Sequence, residues 1–358
     1  MSPLKSFILH ACKALGVFGA CRLLTRRPLR ILCYHGFSSR DEHAFRPQLF
    51  MRPETFRARM AFLRKAGYPV LDLGKAADAL RRGNLPANAV AITVDDGFRN
   101  VGSLALGILR EFSLPATVYV TTYYVDRNHP VFRLAAQYLF WKSARAEIDL
   151  RAAGLGPEAD VLGKTVAGQW ELIRHGEEAC DEARRTEILR RLARHVGLDM
   201  ADLERSGILT LMSAAEVATL SREGVDIQLH THRHHLPPDQ AGVEREIRDN
   251  RRSLGPLIAP GAEALDHFCY PSGVWERGQW PMLEALGVRT ATTCEPGFNY
   301  PDTPAMGLRR FLDSEAISQL EFEAELSGFL EIMRKLTGKS ARIAAMTSSG
   351  GGNPRVAG

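Results

Sequence analysis

Apolar and polar positions alternate along this chain in two periods that keep trading places. "LRILCYHGF" (residues 29–37) is a short apolar run that reads as a buried strand. It is followed by "RPETFRARMAFLRKAGY", where Phe56, Met60 and Leu63 share one helical face, Pro53 opens the helix and Gly67 closes it. "PVLDL" predicts a further short strand and "GKAADALRRG" a helix. "NAVAITVDDG" predicts a buried strand ending in two carboxylates, "SLALGILREFS" a helix, and the β-branched, aromatic "PATVYVTTYYV" a strand. Strands alternating with helices at this spacing imply a parallel sheet or an α/β barrel.

The alternation stops over residues 126–208, where "VFRLAAQYLFWKSARAEI" and "ACDEARRTEILRRLARHVGL" read as long helices with no strong strand between them, as in an insertion. It resumes with "SAAEVATLSREG" (helix), "VDIQLHTH" (strand), "GVEREIRDNRRSLGPL" (helix), "LDHFCYPSG" (strand), "QWPMLEALG" (helix) and "VRTATTC" (strand). The expected organisation is an N-terminal helix over 1–28, a barrel built from 29–125 and 209–335, the 126–208 insertion, and a disordered tail over 336–358, which is small, polar and glycine-rich.

In the first segment Leu4, Phe7, Ile8, Ala11, Leu15, Phe18 and Leu23 recur at helical spacing, with Lys5, Lys13, Arg22, Arg26 and Arg27 on other faces. His10 and Lys13 interrupt any secretory apolar core, although "FGAC" before Arg22 faintly resembles a lipoprotein cleavage site. Two readings stand: a helix capping the base of the barrel, or a basic amphipathic helix making peripheral contact with an anionic membrane. The formal net charge of +5 is spread over predicted helices without a Lys/Arg block, so nucleic acid is not an expected partner. Six cysteines without a CxxC pair read as free thiols of a reducing compartment. That places the chain in the cytoplasm, with association at the inner face of the cytoplasmic membrane as an option.

The polar oddities all fall at predicted strand ends, where the loops of such folds converge: "CYH", "VDDG", "LHTHRH" and "CYPSG". Asp95 and Asp96 can either cap the following helix or divide between base and hard-oxygen metal ligand. In "HTHRHH", His230 and His234 are four apart and can meet one ion in a single turn; His230 with His235 is a rival pair. One carboxylate with two imidazoles leaves positions open for water, the pattern of a catalytic site.

These residues resemble the polysaccharide deacetylases with the NodB homology domain, carbohydrate esterase family 4. "TVDDG" looks like the family's TFDDG motif, "HTHRH" like H-[ST]-x-x-H, and "FCYPSG" is similar to F-R-P-P-Y-G or F-A-Y-P-Y-G. "FMRPETFRARMAFLRKAGYPVLDL" and "MSAAEVATLSREGVDI" resemble the family's lead-ins, so the likeness covers about 29–125 and 209–313. The resemblance implies a deformed (β/α)7-type barrel holding one divalent ion, zinc or cobalt, on Asp96, His230 and His234. It also implies Asp95 as general base, a backbone N–H near Ser272 as oxyanion donor, and Thr231 steadying the loop. Thr231, Tyr270 and Trp275 are candidate substrate contacts, and Trp141 is a further aromatic platform.

The implied reaction is removal of an N-acyl group, N-acetyl above all, from an amino sugar during cell-surface polysaccharide (exopolysaccharide) biosynthesis. Deformylation or deacetylation of a nucleotide- or lipid-linked monosaccharide, and a non-catalytic carbohydrate-binding relative, remain as alternatives. Three departures bear on this: Cys269 stands where many members carry the Arg that orients the base, Ser272 replaces a Tyr, and "GLRRFLD" lacks the L-x-H that supplies the acid. "ILCYHGF" looks like the "YH" strand of the branch containing the poly-N-acetylglucosamine deacetylases, which makes His35 the candidate acid. The plain alternative for His35 is a histidine hydrogen-bonded in the barrel rim.

Overall fold

A computed structural model describes residues 3–337 apart from 126, 128, 144–146 and 168. The tail expected to be disordered therefore lies almost wholly outside the described residues. Two compact units emerge, one from Met1–Asp126 with Met212–Gly358 and the other from Arg127–Leu211.

The first unit is built on seven strands: β1 (Arg30–Tyr34), β2 (Val90–Val94), β3 (Thr117–Val120), β4 (Asp226–Leu229), β5 (His267–Cys269), β6 (Thr290–Thr292) and β7 (Phe311–Leu312). They lie in the order β6-β5-β4-β3-β2-β1-β7, and every pairing is parallel. All residues of β1 and β2 are buried, as expected of parallel strands covered on both faces. The two edges nearly meet: Leu308 donates its N–H to the Ala291 carbonyl and accepts from the Thr293 N–H, and three residues later the same segment becomes β7 on the edge of β1. The result is a curled sheet closed by one short stretch of chain, a deformed barrel.

Local chemistry explains most of the surrounding helices. Pro53 opens the helix Pro53–Lys65, whose Phe56, Met60 and Leu63 are buried as the periodicity required. Ser213 and Glu216 form a reciprocal capping box on Ala214–Arg222, and Ser318 with Glu321 forms another on Gln319–Leu326. "PVLDL" differs from expectation, because only Val70 bridges to Val90 and no strand forms. The N-terminal pattern is not one helix: α1 (Pro3–Ala14) and α2 (Val17–Leu24) meet at an angle of 76°. Gly16, at φ 75°, supplies the left-handed residue at the break.

The second unit carries the helices Phe132–Ser143 and Glu182–His195, the latter capped by the Asp181 side chain. It also has an antiparallel pair, Glu147–Asp149 with Thr165–Ala167, that the helical reading of this stretch missed. Trp141 belongs to this unit and is 40% exposed. All six cysteines are free, and Cys21, Cys33 and Cys269 are buried.

Candidate active site

The carboxyl ends of β1, β2, β4 and β5 bring the sequence motifs together. Asp95 and Asp96 follow β2, and the backbone turns sharply there: Asp96 has φ 70° and Gly97 φ 80°. That turn resolves the difficulty that adjacent strand residues face opposite ways, and it sends the two carboxylates to different partners.

Asp96 faces the histidine loop. Its Oδ1 lies 3.1 Å from Nε2 of His230 and 3.1 Å from Nε2 of His234. The rival His230–His235 pairing is not formed, because His235 is exposed while its N–H donates to Thr231 Oγ1. His230 is fixed from both sides. Its Nδ1 donates to the Cys269 carbonyl at 2.8 Å, and its backbone N–H donates to Asn250 Oδ1 at 2.9 Å. Asn250 in turn donates to the Val120 carbonyl and to Thr122 Oγ1, so one buried amide ties β3 to the histidine loop.

Because a carbonyl only accepts, the Nδ1 contact commits the His230 proton to that side, and a neutral ring points its Nε2 lone pair at a carboxylate. Two imidazole nitrogens converging on one carboxylate oxygen need positive charge between them, either protons or a cation. Burial opposes charge on His230, but Cys269 and Asp96 outweigh it and hold its pKa well above the ordinary value. Burial likewise works against the Asp96 charge, and contacts to both histidines overcome it. Asp96, His230 and His234 offer ligand atoms all within 4.8 Å of one another, a donor set of two nitrogens and one oxygen that suits a divalent ion such as zinc.

Asp95 is paired differently. Arg310 Nη1 and Nη2 donate to its two carboxylate oxygens at 2.7 Å each, a bidentate fork in which both side chains are buried. Arg310 is itself held by the Thr293 carbonyl and Thr93 Oγ1. Burial pushes the Asp95 pKa up, but Arg310 overrides it, aided by His35 and His230, and brings it down to about 2. The thiols of Cys33 and Cys269 sit 3.5 and 3.3 Å from Asp95 Oδ2. With both oxygens engaged by the guanidinium, Asp95 is a poorer ion ligand than Asp96.

Arg310 corrects the expectation that an orienting arginine is missing. Cys269 does occupy the usual strand, and the charge instead comes from the segment that closes the barrel. "GLRRFLD" offers two adjacent arginines without telling them apart; Arg310, one residue before β7, is the one wholly buried in the barrel interior.

His35 stands one residue past β1, with Nε2 3.8 Å from Asp95 Oδ2 and its side chain 18% exposed, between the buried base and the mouth. Ser272 is exposed at φ 55° in the turn after β5. Around it Tyr270, Gly273 and Val274 spend their N–H groups on Thr292, Tyr270 and Pro271, which leaves the Ser272 N–H as the donor of this turn open to a ligand.

Two expected substrate contacts are corrected by burial. Tyr270 is wholly buried and donates its hydroxyl to the Met306 carbonyl, so it packs the site from beneath. Thr231 is also wholly buried, at φ 59°, and its hydroxyl holds the loop through His235. Trp275 is half-buried and stacks on Trp280 at 5.3 Å, so one face is already covered. The two tryptophans line a shallow cleft with Arg277, Tyr300, Arg309 and Lys335, and neither aspartate nor any of the four histidines borders it. His232 is anchored through its Nδ1 by Thr122 Oγ1 and packs edge-on against Tyr123.

Residues 82–179 match the family model described as polysaccharide deacetylase, a span that includes Asp95 and Asp96 and ends before the histidine loop. No curated protein matches the chain. Among solved structures, the chain is similar to the Streptococcus pyogenes deacetylase PplD in complex with acetate, with TM-score 0.55 and 16% identity over 84% of this chain and 99% of that one. It is also similar to IcaB from Ammonifex degensii, with TM-score 0.53 and 15% identity over 84% and 97%. A de-N-acetylase from Aggregatibacter actinomycetemcomitans gives TM-score 0.52 and 14% identity over 83% and 99%. At such identities these likenesses speak for the fold. The family match and the ordered motifs at the strand ends add a likeness to the polysaccharide deacetylases, which in the family model spans residues 82–179.

Proposed function

We propose that the protein is a metal-dependent hydrolase that removes an N-acetyl group from an amino sugar of a polysaccharide. The observation that carries this reading is the meeting of the His230 and His234 Nε2 atoms on one Asp96 oxygen, with the Asp95–Arg310 pair one residue away. Asp96, His230 and His234 would hold the ion. When bound, the ion polarises the amide carbonyl and acidifies a water.

The remaining roles fall to the chain. Asp95 stays ionised throughout the physiological range and accepts a proton from the attacking water; a carboxylate held near 2 is a weak base, which suits an acidified water better than a free one. Arg310 keeps that carboxylate charged and aimed. The Ser272 N–H is placed to donate to the oxygen that gains charge as the carbonyl is attacked. His35, 3.8 Å from Asp95 Oδ2, would protonate the departing amine. One water is consumed, and acetate and the free amino sugar leave.

The test is metal analysis combined with acid release from N-acetylated and N-formylated amino sugars. Acetate release with about one ion per chain is expected. Asp95→Asn should abolish release while keeping the ion, and Asp96→Ala should lose the ion. An Asp95→Asn protein with an unchanged rate would remove Asp95 from the reaction. Release of formate alone would change the acyl group, and a loaded protein that releases neither acid would make the chain a binding relative.

A further inference from the structure

The N-terminal helices carry a second feature, remote from the chemistry. In α1 the apolar stripe Leu4, Phe7 and Ile8 faces outward, continued by Leu15 in the break that follows: these four are between 45% and 81% exposed. The opposite side fastens the helix to the barrel, with Lys5 paired to Glu321 at 2.7 Å, Lys13 paired to Glu323, and Leu9 packed, together with Phe18 of α2, on Leu320 and Ala324. A surface helix ordinarily buries its apolar stripe and leaves its lysines in water; here the lysines are spent on the body and the stripe is given to solvent. Leu23 and Leu24 of α2 are exposed too. The helix Phe329–Leu336, which packs on α2 through the Phe18–Phe329 ring contact, adds Met333 and Leu336. These three helices and the break between the first two hold eight of the twelve large exposed apolar side chains among the described residues.

Charge chooses the occupant. Residues 1–40 contain no acidic side chain, while Lys5, Lys13, Arg22, Arg26, Arg27 and Arg30 lie within them, and Arg26 and Arg27 are exposed beside the leucines that end α2. The acids that face α1, Glu321 and Glu323, are taken by its lysines. A second copy docking face to face would set like charges together, whereas an anionic leaflet offers both an apolar layer and the opposite charge.

We propose that this surface seats the protein on an anionic membrane, with α1 and α2 lying at the interface. Arg30, at the start of β1, is bonded to the Thr25 and Leu326 carbonyls at the base, while His35 follows the other end of the same strand. Five strand residues span about 17 Å, so the site opens on the side of the barrel away from the leaflet.

The test is flotation of the full-length chain with vesicles of phosphatidylcholine alone or with phosphatidylglycerol, alongside its mass in solution. Binding is expected to the anionic vesicles. It should drop by more than about tenfold in Phe7→Ser/Leu15→Ser, since each side chain would otherwise leave water. It should also drop in Arg26→Ser/Arg27→Ser, with acetate release from a soluble substrate unchanged in both variants. Wild-type protein that ignores anionic vesicles, or serine variants that bind as wild type does, would overturn the proposal. So would a stable dimer that Phe7→Ser/Leu15→Ser converts to monomer.

Discussion

Replacing Arg310 by Met removes the only guanidinium that touches Asp95 among the described residues and leaves a carboxylate that is 2% exposed. Arg310 holds the Asp95 pKa at about 2 against an ordinary value of about 3.9, a gap that corresponds to about 2.5 kcal/mol at neutral pH. The sign follows from the lowered pKa: this contribution is present above about pH 4 and is lost as pH falls through about 2. Breaking a buried pair by deleting one partner typically costs about 3–5 kcal/mol, so a loss of about 3 kcal/mol at pH 7 is expected from urea unfolding of metal-free protein. In the variant burial raises the Asp95 pKa against only His35 and His230, so the deficit should shrink as pH is lowered toward 4. Acetate release at pH 7 should fall by at least about a hundredfold, because the base is both misaimed and more readily protonated. The ion should stay bound, since its three donors are untouched. Asp95→Asn/Arg310→Met, which removes both charges, should recover most of the stability and none of the rate. An Arg310→Met protein within about 0.5 kcal/mol of wild type that turns over within about threefold would refute the clamp.

Three further outcomes follow. Asn250→Leu leaves the His230 N–H and the Val120 carbonyl buried without their amide partner, so unfolding free energy should drop by about 2–3 kcal/mol and metal affinity should weaken, as read by titration calorimetry. Burial raises the Asp226 pKa to about 6 despite bonds from Gln228 and Thr117. This carboxyl therefore supports the fold below about pH 4 and costs stability as pH rises through 6, and Asp226→Asn should melt higher than wild type at pH 8 and no higher at pH 4. His35→Ala should keep the ion and slow release most for substrates with basic leaving amines; equal rates for all substrates would return His35 to a packing role in the rim.

Much of the architecture could be read from periodicity, because buried parallel strands such as "ILCY" and "AITV" have no polar face to confuse the reading. "PVLDL" misled for the opposite reason: five apolar-rich residues look like a strand, yet whether a sheet edge is free to pair with them is a tertiary matter. The pair at 147–149 and 165–167 was hidden because its strands are three residues long, below any usable period. In the site, spacing narrowed the rings to His230 with either His234 or His235, and the likeness to the family's motifs, not spacing, chose His234 and Asp96. Arg310 was not, since its partner lies 215 residues away and nothing local distinguishes it from Arg309. Tyr270 and Thr231 were over-read because residue type and proximity to a motif say nothing about burial.

The stretch from Leu308 to Leu312 pairs with β6 at its start and β1 at its end, and carries Arg310 between. Asp96, His230 and His234, the proposed ion ligands, are all translated before it, while the barrel is still open. Until that stretch arrives, β1 and β6 present unpaired edges and Asp95 has no counter-charge. Closure of the fold and the clamping of Asp95 are thus a single event, and a product truncated short of residue 308 would keep Asp96, His230 and His234 but lack the guanidinium that holds Asp95.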